Sequence, residues 1–222
     1  MLAILPSIHG ELSSVYILYN ADIPYPDKTN NFQPLSMFSP EFTISKGNTN
    51  FNALYETILR IGKPMTVPKG KAIIRHGSYS NFFFYIRSGV FRSYTVVNGK
   101  EYGIGFTFQD DIDCCPQGLF SGIPNNYTIE AVKESEVLVC DYKDFKTPGN
   151  EKHEQMLNDL LTHYIGIVEN RLIEAISLTA EERYLRLMET HPEKLNLVPL
   201  SHVASYLGIS QERLSRIRRK LT

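Results

Sequence analysis

The sequence predicts an α+β chain: an antiparallel β jelly roll, then one long helix, then a small all-helical module. Three observations carry this expectation. Short runs rich in β-branched and aromatic residues recur between Lys63 and Asp144. A proline-free stretch from Glu151 to Ser177 places apolar residues at helical spacing. The segment from Thr179 onward holds short helical patterns arranged about a glycine.

With 222 residues the chain has room for one large domain or two modest ones, each with its own core. A hydrophobic share of 42% and a charged share of 21% are those of an ordinary globular protein and exclude a disordered or fibrous class. No apolar run is long enough to span a bilayer, so no membrane partner is expected. The opening MLAILPSIHG has no basic flank before its apolar patch, which argues against a secretory leader. Cys114, Cys115 and Cys140 are too few for a disulfide framework, and adjacent cysteines seldom bridge. A reducing cytoplasm suits this usage.

Pro6, Pro24, Pro26, Pro34 and Pro40 interrupt every periodic stretch at the start. Residues 1–40 therefore read as a poorly specified N-terminal extension, with Met37 as a candidate alternative start. FNALYETILRI at 51–61 predicts a short amphipathic helix. Strands are expected at 71–75, 82–87, 90–97, 101–107, 128–132 and 137–141, and Asn98-Gly99 marks a hairpin because both residues tolerate positive φ. Together these assign a β-barrel domain to 41–150.

In the long helix, 151–178, Met156, Leu157, Leu160, Leu161, Tyr164, Ile167, Val168, Leu172, Ala175 and Ile176 recur at three- and four-residue spacing. The stripe is wider than one small barrel needs. A self-pairing seam explains it economically, with packing on the chain's own barrel as the other reading. Thr179-Ala180-Glu181-Glu182 is a capping-box pattern, so a new helix starts near Ala180 and stops before Pro192.

The module at 179–222 is the most informative segment. Val203, Ala204, Leu207, Ile209, Leu214 and Ile217 supply the apolar positions of two short helices, with Leu207-Gly208-Ile209-Ser210 between them. Ala204 is small enough for close helix approach, Gly208 suits a left-handed helix end, and Ser210 suits the N-cap of the second helix. This is a helix-turn-helix pattern. Its apolar residues face inward, leaving Gln211, Glu212, Arg213, Ser215, Arg216 and Arg219 outside. An arginine fork fits guanine O6 and N7, and glutamate accepts from cytosine N4. Arg218, Lys220 and the hydroxyls of Ser201 and Ser210 suit phosphate oxygens. Net charge is only −1, yet the chain from Gln211 carries five cations against Glu212, while Asp110, Asp111, Asp113, Glu130, Glu134, Glu136 and Asp141 make the middle acidic. That asymmetry fits a sensor joined to an anion-binding module. Charge alone fits a solvated helix end equally well.

The tail, SLTAEERYLRLMETHPEKLNLVPLSHVASYLGISQERLSRIRRKL, resembles the Crp/Fnr family of regulators in the form common among Bacteroidetes. KGKAIIRHGSYSNFFFYIRSGVFRSYTVVNGKE is similar to that family's cyclic-nucleotide-binding-like barrel, so the resemblance spans roughly residues 50–222. It implies a jelly-roll sensor, a dimerisation helix and a C-terminal DNA-binding domain, in a dimeric transcription regulator that is not an enzyme. It implies double-stranded DNA with an inverted-repeat operator as partner, and RNA polymerase as a candidate one. Ser210, Glu212 and Arg216 fall on the family's recognition-helix pattern, with Gln211 at another base-facing position. Arg213 stands where the family usually has threonine, and the wing found in many relatives is absent or truncated after Thr222.

Cyclic-nucleotide binders of the family use a Gly-Glu pair and an arginine. Here the corresponding stretch is Cys114-Cys115-Pro116-Gln117-Gly118-Leu119, followed by Asn125-Asn126-Tyr127-Thr128, with neither feature. A buried cyclic phosphate would lack its counter-charge. Cyclic AMP is not expected, and the effector is left open. Three cysteines, none before residue 114, do not make the family's iron-sulfur site, and His76 is a lone histidine; no cofactor or metal is expected. An activated thiolate at Cys114 or Cys115 would give an oxidant sensor. Two other functions compete: a small-molecule-binding jelly roll acting through protein contacts without DNA, and a cupin-type metalloenzyme. The scattered histidines argue against the second.

Overall fold

The structure, a computed structural model, describes residues 44–45, 51–145, 151–190 and 192–221, all within one compact unit. The expected extension at 1–40 and Met37 lie outside the described residues. In chain order the elements are β1 (Ile44–Ser45), α1 (Asn52–Ile61), β2 (Lys63–Val67), β3 (Ala72–Ile74), β4 (Phe82–Ser88), β5 (Val90–Val97), β6 (Lys100–Phe108) and β7 (Asp111–Asp113). A π-helical turn (Gln117–Ser121), β8 (Thr128–Ala131), β9 (Ser135–Asp141) and α2 (Tyr142–Phe145) follow. The helical part is α3 (Glu151–Ser177), α4 (Ala180–Thr190), α5 (Pro192–Leu195), α6 (Leu200–Leu207) and α7 (Gln211–Leu221).

The strands form two antiparallel sheets, ordered β1-β7-β4-β9-β2 and β3-β8-β5-β6. β4 shows why its sequence, FFFYI, is continuously apolar: both of its faces are buried. Phe84 and Ile86 join Phe91, Ile129, Ala131 and Val137 in one cluster, whereas Phe83 and Tyr85 pack with Leu54, Tyr55 and Ile58 of α1 and Leu160 of α3. The β5–β6 hairpin turns at Asn98 (φ 52°) and Gly99 (φ 75°), as the dipeptide predicts. Pairing slips by one residue at Ile104, since Ser93 faces Gly105 and Tyr94 faces Gly103. Ile104 then packs with the first of these clusters, while Phe106 and Phe108 pack with the helical module.

Helix boundaries match the sequence expectation at α3 and α4. The capping box is present: Glu182 N–H donates to Thr179 Oγ1 (3.2 Å) and Thr179 N–H to Glu182 Oε2 (2.7 Å). Three strands were not expected, the two-residue β1 among them. β2 is a largely exposed edge strand containing Pro64, so it shows no alternation. β7 is three residues, two of them acids, yet all three are buried. The acidic middle is therefore less of a surface than composition suggests, because Asp111 and Asp113 point into the protein.

Candidate nucleic-acid interface

α6 ends in a Schellman motif. Gly208 sits at φ 72°, its N–H donates to Ser205 O (3.1 Å), and Ile209 N–H donates to Ala204 O (3.0 Å). Nothing lies within 4 Å of where a Gly208 Cβ would be, so glycine is required by backbone conformation rather than by space. The next helix starts at once: Ser210 Oγ accepts Arg213 N–H (3.2 Å) and Ser210 O accepts Leu214 N–H (3.1 Å).

Leu214 and Ile217 are buried against Val203, Ala204, Leu207, Tyr184 and Leu187. This fixes which side of α7 faces out. Gln211, Glu212, Arg213, Arg216, Arg218, Arg219 and Lys220 are exposed, and Ser215 is half-buried. Ser201 is exposed in the first turn of α6, and Ser210 is exposed at the turn. Glu212, Arg216 and Arg219 recur at four and then three residues, so they share one stripe. The Glu212 carboxyl is held below its usual range by its own backbone N–H, the Ser210 hydroxyl and Arg216, and is an anion at neutral pH.

Two of the expected residues are set apart from that stripe. Arg218, though exposed, also lines a cleft of about 160 Å³ with Tyr184, Met188, Val198, Leu200 and Val203. The Lys220 ammonium lies 3.9 Å from the Glu181 carboxylate, an exposed pair worth little.

Along α3, Ile165, Val168, Leu172, Ile173 and Ile176 are exposed, reaching 61% at Leu172 and 77% at Ile176. By contrast Leu160 is buried on α1 and β4. Packing on the chain's own sandwich accounts for Leu160 and leaves the later apolar stripe uncovered in the single chain.

Asn125, near the position where the resemblance expects an arginine, is fully buried. Its Oδ1 accepts from Ser80 Oγ (2.9 Å) and its Nδ2 donates to Ser78 Oγ (3.3 Å). A Cβ at Gly118 would fall 2.2 Å from that Oδ1, so this loop is packed on itself. No lysine or arginine occurs from Cys114 to Thr128. The space between this segment and α3, lined by Phe83, Ile112, Asp113, Cys114, His163 and Tyr164, is about 20 Å³. That is room for about one water molecule.

Beside that space Asp113 is buried and its carboxyl is pushed up to about 7. Burial outweighs hydrogen bonds from Thr107 Oγ1 and Cys114 N–H, which favour the anion. Burial also pushes the Cys114 thiol well up, with Asp113 and Cys115 adding to it. All three cysteines are buried, the opposite of an activated, accessible thiolate. His76 is exposed on the turn after β3. Among the described residues no His, Cys, Asp and Glu group is placed to hold a metal, and no helix is long and apolar enough to cross a membrane.

Arg171 and Ser205 were not singled out by sequence: neither stands in a motif, and each acquires its contacts only when distant elements meet.

Comparison with known proteins bears on the fold. No curated protein matches the chain. Residues 64–147 match the cyclic nucleotide-binding domain family. FixK2 from Bradyrhizobium japonicum superposes with a TM-score of 0.61 at 20% identity, over 72% of this chain and 84% of that one. A CooA variant from Carboxydothermus hydrogenoformans gives 0.60 at 17% identity, over 78% and 84%. A transcriptional regulator of the Crp/Fnr family from Eubacterium rectale gives 0.59 at 18%, over 76% and 82%. Residues 64–147 therefore match the cyclic nucleotide-binding domain family, and the part of the chain that superposes, 72% of it on FixK2 and 76% on the Crp/Fnr regulator, shares the fold of these transcription regulators.

Proposed function

We propose that the protein is a sequence-specific DNA-binding transcription regulator that acts as a homodimer and is not an enzyme. The observation that carries this is α7: a capped, amphipathic helix whose apolar side is buried and whose outward side presents Gln211, Glu212, Arg213, Arg216 and Arg219 to solvent. In this reading Glu212 and Arg216 contact base edges, with Gln211, Arg213 and Ser215 flanking them. Ser201, Ser210, Arg218, Arg219 and Lys220 meet phosphates. The domains are the jelly-roll sensor at 41–150, the dimerisation helix at 151–178 and the DNA-binding module at 179–222.

The exposed stripe on α3 is the seam for a second copy, as its spacing suits a helix–helix contact. Two recognition helices then reach successive major grooves, with half-sites about 34 Å apart in an inverted repeat. In this reading the sensor does not take a cyclic nucleotide, because the segment from Cys114 to Thr128 supplies no cation for its phosphate.

Selection of bound sequences from random duplex DNA, run beside Arg216→Ala, tests the reading. A palindromic motif enriched by the wild type and relaxed in the variant supports it. A folded dimer that enriches nothing at low salt would turn attention to the jelly roll as a module working through protein contacts.

A further inference from the structure

We infer that Gly103, Ser205, Tyr206 and Arg171 form a positioning joint that fixes α7 relative to α3, so that sandwich and helical module turn as one body. The inference rests on the DNA-binding reading above. β6 is an open edge of its sheet, and backbone groups on such an edge need partners. Here α6 and α3 supply them. Gly103 N–H donates to Ser205 Oγ (2.9 Å), and the Ser205 hydroxyl donates to Glu101 O (3.2 Å). Arg171 of α3 donates to Gly103 O (3.4 Å).

The approach is close. A Cβ on Gly103 would fall 2.8 Å from the Tyr206 backbone N and Cα. The Tyr206 ring lies 5.5 Å from Phe106 and 4.0 Å from the Arg171 guanidinium. Around this point Phe106, Phe108 and Val132 of the sandwich share one buried cluster with Val203, Leu207 and Leu214. Arg186 of α4 also pairs with Glu174 of α3 at 3.1 Å.

The docked face and the reading face of the module differ. Tyr206 is buried and Ser205 is half-buried on the sandwich, while Ser201, Gln211, Glu212, Arg213 and Arg216 remain exposed. Docking therefore leaves the reading face open and removes freedom at Leu178-Thr179, the link from α3 to α4. A free link lets two readers accept half-sites over a range of separations. A fixed joint concentrates affinity at one separation by prior organisation.

The test has two readouts on the full chain. Labels at Glu134→Cys and Glu189→Cys, both exposed positions, report the sandwich-to-module distance without DNA, because the native thiols are buried. With the labelled chain diluted into excess unlabelled chain, so that a dimer carries one labelled copy, a single narrow distance is expected, broadened by Gly103→Val and partly by Ser205→Ala. A broad distance in the otherwise unaltered chain overturns the joint. Inverted repeats whose spacer is lengthened or shortened by one or two base pairs give the second readout. The wild type is expected to lose about tenfold in affinity off its best spacing, and Gly103→Val to bind single half-sites normally with only about threefold spacing preference. Equal spacing preference in both proteins overturns the inference. Should Gly103→Val fail to fold, Arg171→Met combined with Ser205→Ala carries the same comparison. A narrow distance with no duplex bound overturns the positioning role through failure of the regulator reading, which the label data separate from failure of the joint.

Discussion

Thr107 Oγ1 donates a hydrogen bond of 2.7 Å to Asp113 Oδ2 in the buried space beside α3. The bond favours the carboxylate, but burial favours the acid more strongly and carries the group to about 7. Its unfolded value is near 4. With the folded value raised, this contribution to stability is fully present below about pH 4 and is lost as pH rises through about 7. Thermal midpoints should fall by several degrees between pH 5 and pH 8, and Asp113→Asn should flatten that decline. An unchanged slope in the variant would remove Asp113 as its source.

His202 gives the opposite slope. It lies on α6, where burial and Arg92 lower its pKa against the pull of Glu101 and Glu130. Arg92 is itself bound to both glutamates, which hold it charged despite its burial. With the folded value below the ordinary one, stability is fully present above about pH 6.5 and falls as pH drops below it. His202→Gln should remove this acid-side loss, measured as the thermal midpoint between pH 7 and pH 5 in an Asp113→Asn background.

The exposed stripe on α3 predicts the oligomeric state. Leu172→Glu with Ile176→Glu places two charges on side chains that are 61% and 77% exposed in the single chain. The monomer fold should be retained, by circular dichroism, while sedimentation shows a dimer converted to a monomer. Operator affinity should fall by about a hundredfold or more as the second half-site contact is lost.

Arg216 and Lys220 should separate by kind of contact. Arg216→Ala should cost about 1–3 kcal/mol at one base position and relax sequence preference there. Lys220→Ala should weaken binding evenly across sequences and lower the salt slope by about one. Competition binding on single-base operator variants at two salt concentrations distinguishes the two patterns.

What was legible in the sequence was what neighbouring residues decide among themselves. Gly208, Ser210 and the alternation of Leu214 and Ile217 with charged residues specify the turn, the cap and the outward face of α7, because these are contacts within a few positions. The same holds for the Thr179–Glu182 box and the Asn98-Gly99 hairpin. β2 and β7 were not legible, since an exposed edge strand and a short acidic strand lack the periodicity that marks the others. Nor was the burial of Asp113, which depends on α3 covering it.

Local chemistry in the sequence by itself determined the order of sheet and helices and the side chains on the outward face of α7. Only the tertiary structure decided where that face is held. Gly103 and Ser205 are 102 positions apart, and their hydrogen bond exists because an open sheet edge needs partners that no residue nearby in the chain provides.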